Sequence, residues 1–254
     1  MSLSIALNTA LQGLRVNERT MATISNNIAN ANTAGYSRQV VDLSSVAIDG
    51  EGQGVRIEDV VRKVDEFLIL SVNRQASQLS RAETVDNYLE RAQILLGEPG
   101  EENSIDEQVE IFFNALQAMA DAPDRVSTRA GVVEAGETLA REFSQLAAGI
   151  EELRYEADRE IAIGVNQIND ILEELSVLNE ALVEANAFGN SRATLLDKRD
   201  QALGDLAEWV DIRSVEQESG AVYVYAGNGI ALLEEVEYEV AYNRSSSDQS
   251  LINS

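Results

Sequence analysis

The charged side chains of this 254-residue chain are almost all carboxylates and guanidinium groups. There are 44 Asp and Glu residues, and the sequence contains neither His nor Cys. This excludes a Ser/His/Asp or Cys/His nucleophile, a disulfide scaffold and a zinc site of the usual Cys/His kind. Two carboxylates can act as general acid and base, but the pattern singles out no pair. The sequence therefore predicts no catalytic residue, no cofactor and no enzyme activity.

Two acidic clusters, at 98–110 and 234–237, offer the oxygen ligands that hard cations prefer. Neither has the alternating Asp or Asn residues and central Gly of a calcium loop, which favours a solvated surface and no metal site. Gly227-Asn228-Gly229 lacks the third Gly and the Lys-Ser/Thr pair of nucleotide-binding loops, so it indicates a hairpin turn.

Two arginines stand out, because a guanidinium group can contact a carboxylate through two parallel hydrogen bonds. Arg38 follows Tyr36-Ser37, and Arg199 lies between Asp197 and Asp200. For Arg199, a local helical pair three or four positions away, worth only about 0.2–0.5 kcal/mol, is an equally good interpretation.

The formal net charge of −25 disfavours generic nucleic-acid binding, because phosphate is repelled. Residues 1–74 carry a net charge of −1 and the remainder −24, so the two parts are expected to face different surroundings. Polar residues interrupt every apolar stretch, which predicts no membrane span. The first residues, Met1-Ser2-Leu3-Ser4, lack the basic and apolar regions of a Sec signal.

A long N-terminal helix with an apolar stripe is the clearest element. Its apolar positions alternate at intervals of four and three, the a and d spacing of about four heptads. We call these eight residues the seam: Leu3, Leu7, Ala10, Leu14, Asn17, Met21, Ile24 and Ile28. Polar Asn17 is of the kind that sets register in a helical pair. A partner helix, or packing within its own domain, would cover the seam.

Downstream, the hydrophobic period predicts extended segments around a Gly-rich turn at 36–60 and helices over 61–96, 105–120, 126–188 and 195–209. Ser104 and Glu107 form a capping box. The helix over 126–188 would be roughly 90 Å long at about 1.5 Å per residue, although four glycines could bend it. The fold expected is mainly α: an N-terminal coiled-coil-forming helix, an elongated antiparallel helical bundle with a very long helix, and small β-hairpin elements.

The segment from Asn26 to Gln39 resembles the N-terminal signature of the bacterial flagellar rod, hook and hook-associated axial proteins. Ala34 stands where that family often has proline, and the motif residues are Asn26, Asn27, Ile28, Ala29, Asn30, Thr33, Gly35, Tyr36, Ser37, Arg38 and Gln39. A second motif is similar to hook-associated members at the hook-filament junction, through Leu196, Asp197, Arg199 and Asp200. Further matches follow in order at 62–68, 112–129, 168–179 and 220–229.

This resemblance implies a structural subunit of the extracellular flagellum, exported by the flagellar type III apparatus without a Sec signal. It implies a homo-oligomer that contacts the hook protein and the second hook-filament junction protein, without nucleic acid or membrane insertion. The seam would then pack against neighbouring subunits or a C-terminal helix. Since no Leu-rich helix precedes Ser254, we expect this chain to lack the C-terminal part of such proteins.

Three segments are expected: an axial-core segment at 1–60, a helical bundle at 61–210, and a β-hairpin with a polar tail at 211–254. Three alternatives remain, of which an enzyme is the least favoured because no residues converge on a reacting centre. A hook or distal rod protein would share Asn27 to Asn30 but not Ser37-Arg38-Gln39 together with the second motif. A cytosolic coiled-coil scaffold would have the heptads without these motifs.

Overall fold

A computed structural model of the chain describes residues 3–48, 51–98, 104–188 and 192–243. Its helices are α1 (Leu3–Ala29), α2 (Glu66–Leu96), α3 (Ile105–Asp121), α4 (Val126–Phe188) and α5 (Ala193–Trp209). Its strands are β1 (Gln39–Ile48), β2 (Glu51–Arg62), β3 (Ile212–Glu216), β4 (Val222–Ala226) and β5 (Ala231–Leu233). Within these ranges no helix is both long and apolar enough to cross a membrane. The polar tail expected after residue 243 lies outside the described residues.

The mainly α fold, its very long helix and its small hairpins are confirmed. The long helix α4 has 63 residues and continues through the glycines that could have interrupted it. At the start of α3, the Ser104 side chain accepts a hydrogen bond from the Glu107 N–H, as the capping box predicts. One boundary was wrong: α2 begins at Glu66 and not at 61, because Val61 and Arg62 pair with Val40 and Gln39 in the first hairpin.

Two antiparallel sheets accompany the helices. Strands β1 and β2 pair from Gln39 with Arg62 to Ile48 with Glu51, with two register shifts. The second sheet has the order β3-β4-β5, and the turn predicted at 227–229 connects its last two strands. Strand β3 was not predicted. Its alternation is weak, since only Ile212 and Ser214 are even partly buried.

One compact unit combines residues 1–78 and 166–240. Its hydrophobic core forms where the C-terminal half of α4 packs against α5 and the second sheet. The fully buried side chains in it include Leu172, Leu175, Leu206, Val222, Val224 and Leu233. Alternating positions of β4 supply Val222 and Val224, as expected for a strand with one face on the core.

The second compact unit contains residues 79–165 of α2, α3 and α4. Tyr88 donates a hydrogen bond to Glu160 over 2.8 Å, and Arg91 pairs with Glu156. Neither α2 nor α3 has a fully buried residue among those described. Large apolar side chains such as Leu89, Ile94 and Phe113 are more than half exposed. The described part of this unit therefore leaves much of its apolar surface uncovered.

Candidate functional site

Helix α1 rests on the first hairpin through a face of small and polar residues. The side chains of α1 that are at least partly buried recur at helical spacing, at Thr9, Gln12, Gly13, Val16, Thr20, Thr23 and Asn27. The Thr20 and Thr23 hydroxyls donate to carbonyl oxygens four residues earlier, which satisfies them against the hairpin. Gln12 lies so close to Gly54 of β2 that a Cβ there would come within 2.5 Å of its Oε1. The close approach of Gln12 therefore depends on the absence of a side chain at Gly54.

The seam lies on a different face of α1 and is exposed. Leu7, Leu14, Met21 and Ile28 are 61%, 56%, 69% and 72% exposed. Ala10, Asn17 and Ile24 are exposed as well, while the side chain of Leu3 lies outside the described part of the structure. Among its described residues, α1 therefore buries the largely polar face that contacts the hairpin and leaves the apolar face open.

Asn27 holds the end of α1 to the start of β1. Its Nδ2 donates to the Gln39 carbonyl over 2.8 Å, and its Oδ1 accepts the Gln39 N–H over 2.9 Å. The Tyr36 hydroxyl donates to the same Oδ1 over 2.8 Å. We call such a pairing of one asparagine amide with both backbone groups of one residue an amide clamp. Burial, and secondly the Asp197 charge, raise the pKa of Tyr36 above its ordinary 10.0.

The two sequence motifs meet at Asp197. We use the name Asp197 cluster for this residue together with Ser37, Arg62, Arg199, Asp200 and Glu216. Asp197 Oδ2 accepts the Ser37 N–H over 3.3 Å, and its Oδ1 lies 2.9 Å from Arg62 Nη1. Arg62 Nη1 also lies 2.8 Å from Asp200 Oδ2. Ser37 precedes β1 and Arg62 ends β2, so α5 contacts the base of the first hairpin at both strands.

Arg199 completes the Asp197 cluster. It donates to Asp200 Oδ1 over 3.0 Å, to Glu216 Oε2 over 3.2 Å and to the Gly220 carbonyl over 3.0 Å. Among the described ion pairs, Arg199 therefore makes none with a residue three or four positions away on its own helix. It connects α5 to the second sheet instead, with a side chain only 6% exposed. Buried guanidinium groups need such partners, because an unpaired buried charge is strongly destabilising.

Gly35 forms the turn between α1 and the hairpin. Its φ of +76° lies in the left-handed region that favours glycine, and a Cβ there would come 3.0 Å from Gln201 Oε1 on α5. Asn30 donates to Asn26 and accepts from Thr33, which closes the end of the helix. The other motif residues face solvent or are half-buried: Ile28, Ala29 and Arg38 are exposed, and Leu196 is partly buried.

Other described carboxylates accept hydrogen bonds from hydroxyl groups, and Glu180, Glu184, Glu234 and Glu235 line an open cavity between α4 and the second sheet. Glu234 accepts hydrogen bonds from the Tyr225 and Tyr238 hydroxyls, and Glu237 accepts one from Ser176. The Ser176 hydrogen bond lowers the pKa of Glu237. Among the described residues, no group of three or more acidic side chains could hold a metal ion.

Two further amide clamps were missed at the level of sequence. Asn179 of α4 pairs with both backbone groups of Val222, over 2.9 and 2.8 Å, and Asn169 does the same with Val240, over 3.0 and 2.9 Å. Both asparagines lie in the 168–179 match to the axial family, which was the signal available. Together they attach the second sheet and the segment after it to α4.

Comparison with known families decides the relationship. The family described as flagellar hook-associated protein FlgK helical domain matches residues 89–252, and flagella basal body rod protein matches residues 7–36. The chain belongs to the FlgK family of flagellar hook-associated proteins. It is therefore a flagellar component, and its homologues are structural proteins.

Individual FlgK relatives agree. Flagellar hook-associated protein 1 of Bacillus subtilis is 26% identical over 242 residues, which cover 91% of this chain and 48% of the relative. That of Salmonella typhimurium is 26% identical over 239 residues, covering 91% and 43%. The chain thus spans about half the length of the curated relatives it matches. The flagellar hook junction protein FlgK of Burkholderia pseudomallei has the same fold, with a TM-score of 0.57 and 24% identity over 68% of this chain and 30% of that one.

Proposed function

We propose that the chain is a structural subunit of the junction between hook and filament, assembling through the seam of α1. The observation that carries this proposal is the exposed apolar face of a helix whose polar face is already packed. Each large seam side chain is half to three-quarters exposed, so its burial by a partner helix would contribute about 1 kcal/mol or more. Asn17, in the middle of the seam, would select the register of that partner.

The uncovered apolar surface of the second unit supports a subunit that is completed by assembly. Side chains such as Ile94 and Phe113 are 72% and 63% exposed. Apolar surface on this scale is typical of an interface between proteins. The proposal includes self-association into a homo-oligomer and contact with the hook protein and with the second junction protein.

Binding of a partner helix tests the proposal directly. The ligand is a synthetic peptide of a C-terminal helix of the axial-protein family, because the resemblance to that family implies such a partner helix. Leu14→Glu places a charge in the seam, and we expect at least a hundredfold loss of peptide affinity, since a buried unpaired carboxylate is costly. Fluorescence anisotropy of the labelled peptide measures the affinity.

Ala22→Glu is the matched control. Ala22 is exposed on α1, yet at 100° per residue it lies on neither the seam nor the hairpin face. It adds the same charge to the same helix, so we expect less than a threefold change in affinity. Equal losses for Leu14→Glu and Ala22→Glu would mean that only net charge matters. An undiminished affinity of Leu14→Glu would refute the seam as the interface. In flagella, Leu14→Glu should likewise prevent incorporation of the subunit.

The proposal includes export through the flagellar type III apparatus, an extracellular location, and the absence of enzyme activity and nucleic-acid binding. A hook or distal rod subunit is the second candidate, and the rod-protein match over 7–36 is compatible with it. The match over 89–252 is to the hook-associated helical domain, which favours the junction. A cytosolic scaffold is disfavoured by both matches.

A further inference from the structure

One carboxylate of α5 contacts both ends of the first hairpin. Asp197 receives the Ser37 N–H on one oxygen and the Arg62 guanidinium on the other, across separations of 160 and 135 residues. Beside these contacts, the Lys63 N–H donates to the Arg38 carbonyl over 2.9 Å, which closes the base of the hairpin. The base is therefore tied to α5 at its entrance and its exit.

The hairpin in turn carries α1. Val16 and Thr23 are buried against it, and the amide clamp of Asn27 joins the end of α1 to Gln39 at the hairpin base. The direction of α1 relative to the core of the same unit thus depends on how the hairpin base is held. Apart from the Asp197 cluster, the close approach of Gly35 to Gln201 is a further contact of this base with α5.

The charges of the cluster make Asp197 removable without leaving an unbalanced cation. Two arginines, Arg62 and Arg199, face three carboxylates, those of Asp197, Asp200 and Glu216. Without the Asp197 charge, two cations still face two anions, and Arg62 keeps its contact with Asp200. The loss therefore falls on the link between hairpin base and α5, while the core of α4, α5 and the second sheet keeps its packing.

We propose that Asp197 is the positioning residue of the α1 segment: it fixes the direction in which the seam is presented by holding both strands of the first hairpin against α5. This inference rests on the proposed function, because a fixed direction matters when the seam must enter an assembly. The partner it serves is the helix that covers the seam.

The test measures the distance between α1 and α5 in the full chain. The sequence has no cysteine, so Arg15→Cys and Glu208→Cys, both at exposed positions, introduce the sole sites for spin labels. Double electron–electron resonance gives the distance distribution. We expect Asp197→Asn to broaden it at least twofold and to speed amide exchange at Gln39 and Lys63 at least tenfold. Amides of α4 between Leu172 and Leu178 should not change.

Asp205→Asn is the matched control, since it removes the same charge from an exposed position of the same helix. We expect the distance distribution of Asp205→Asn to have the same width as that of the wild type. Arg62→Lys is the second variant: it keeps the charge, but an ammonium group on a shorter and more flexible stem replaces the Nη1 group that contacts both Asp197 and Asp200. It should broaden the distribution to a smaller extent, and it serves as the test if Asp197→Asn loses helical circular dichroism.

A wild-type width in a folded Asp197→Asn or Arg62→Lys chain overturns the positioning role. If these variants keep the wild-type width of the distance distribution and the peptide binds tightly to the chain, the positioning role is overturned and the proposed function stays intact. Broadening without any binding of the peptide overturns the proposed function and leaves the positioning role intact.

Discussion

Replacing Asn179 by alanine removes one complete amide clamp. Strand β5 pairs with β4 only at Val224 and Tyr225, so the clamp occupies the backbone groups of Val222 beyond the end of that pairing. Asn179 is 8% exposed and Val222 is 2% exposed. Asn179 borders an open cavity but Val222 does not, so water has little access to the backbone groups of Val222.

The magnitude follows from what is left unpaired. One N–H and one C=O of Val222 lose their partner inside the core, and each costs about 1.5–2 kcal/mol. Alanine is better than asparagine within a helix by about 0.6 kcal/mol, which offsets part of the loss. We expect Asn179→Ala to lower the free energy of unfolding by about 3 kcal/mol, a large part of the total for an ordinary domain.

Asn169→Ala is the matched control on the same helix. It removes an amide clamp of the same two hydrogen bonds, but Asn169 and Val240 are only partly buried. Water can solvate the groups that remain, so we expect a loss of about 0.5–1 kcal/mol. The comparison isolates burial, since substitution, helix and hydrogen-bond pattern are shared.

Urea unfolding measures both losses. Trp209 is the single tryptophan of the sequence and lies on α5 in the same compact unit, so its fluorescence reports on this unit. The m-value should stay unchanged, which would show that the same surface is exposed on unfolding. Equal losses for the two variants, or a loss below about 1 kcal/mol for Asn179→Ala, would refute the burial argument.

Two further predictions concern the turn after α1. Gly35→Ala should lower the free energy of unfolding by about 1–2 kcal/mol, because φ is +76° and Gln201 must move. Gly229→Ala, at φ +87° with open space around it, should cost less in the same urea experiment, and an equal cost would exclude the Gln201 contact. The raised pKa of Tyr36 means that the folded chain prefers the protonated phenol. The contribution of Tyr36 to the free energy of unfolding is fully present below the pKa of the unfolded chain, near 10. It is lost as the pH rises through the higher pKa of the folded chain. At pH values above about 10, the urea midpoint should decrease as the pH rises. The decrease should be less steep in Tyr36→Phe, and identical pH profiles for the wild type and this variant would contradict the role of Tyr36.

Helices and turns were predictable because their signals are local. The seam repeats every three and four residues, the Ser104 cap precedes its helix directly, and Gly227-Asn228-Gly229 lies between two β-rich segments. The start of α2 was misplaced because Val61 and Val64 fit a helical period as well as a strand. Only the pairing of Val61 with Val40, across the hairpin, decides that the strand continues.

The candidate site was half predictable. The seam and both motifs could be read from the sequence, and the structure leaves the described seam residues exposed. The inner face of α1 was missed because its threonines, glycine and asparagine carry no hydrophobic signal. Their burial depends on the packing of α1 against the first hairpin, which periodicity in α1 does not reveal.

The sequence by itself determined the helical period, the polar interruption of the seam at Asn17, the strongly acidic surface and the turn residues, since each is a property of neighbouring residues. Only the tertiary structure decided which face of α1 is covered, and which backbone groups the amides of Asn169 and Asn179 reach. It also decided that Asp197 meets Ser37 and Arg62, more than 130 residues away. Such contacts depend on how the elements pack, and a single carboxylate has the same local pattern whether it faces water or a buried guanidinium.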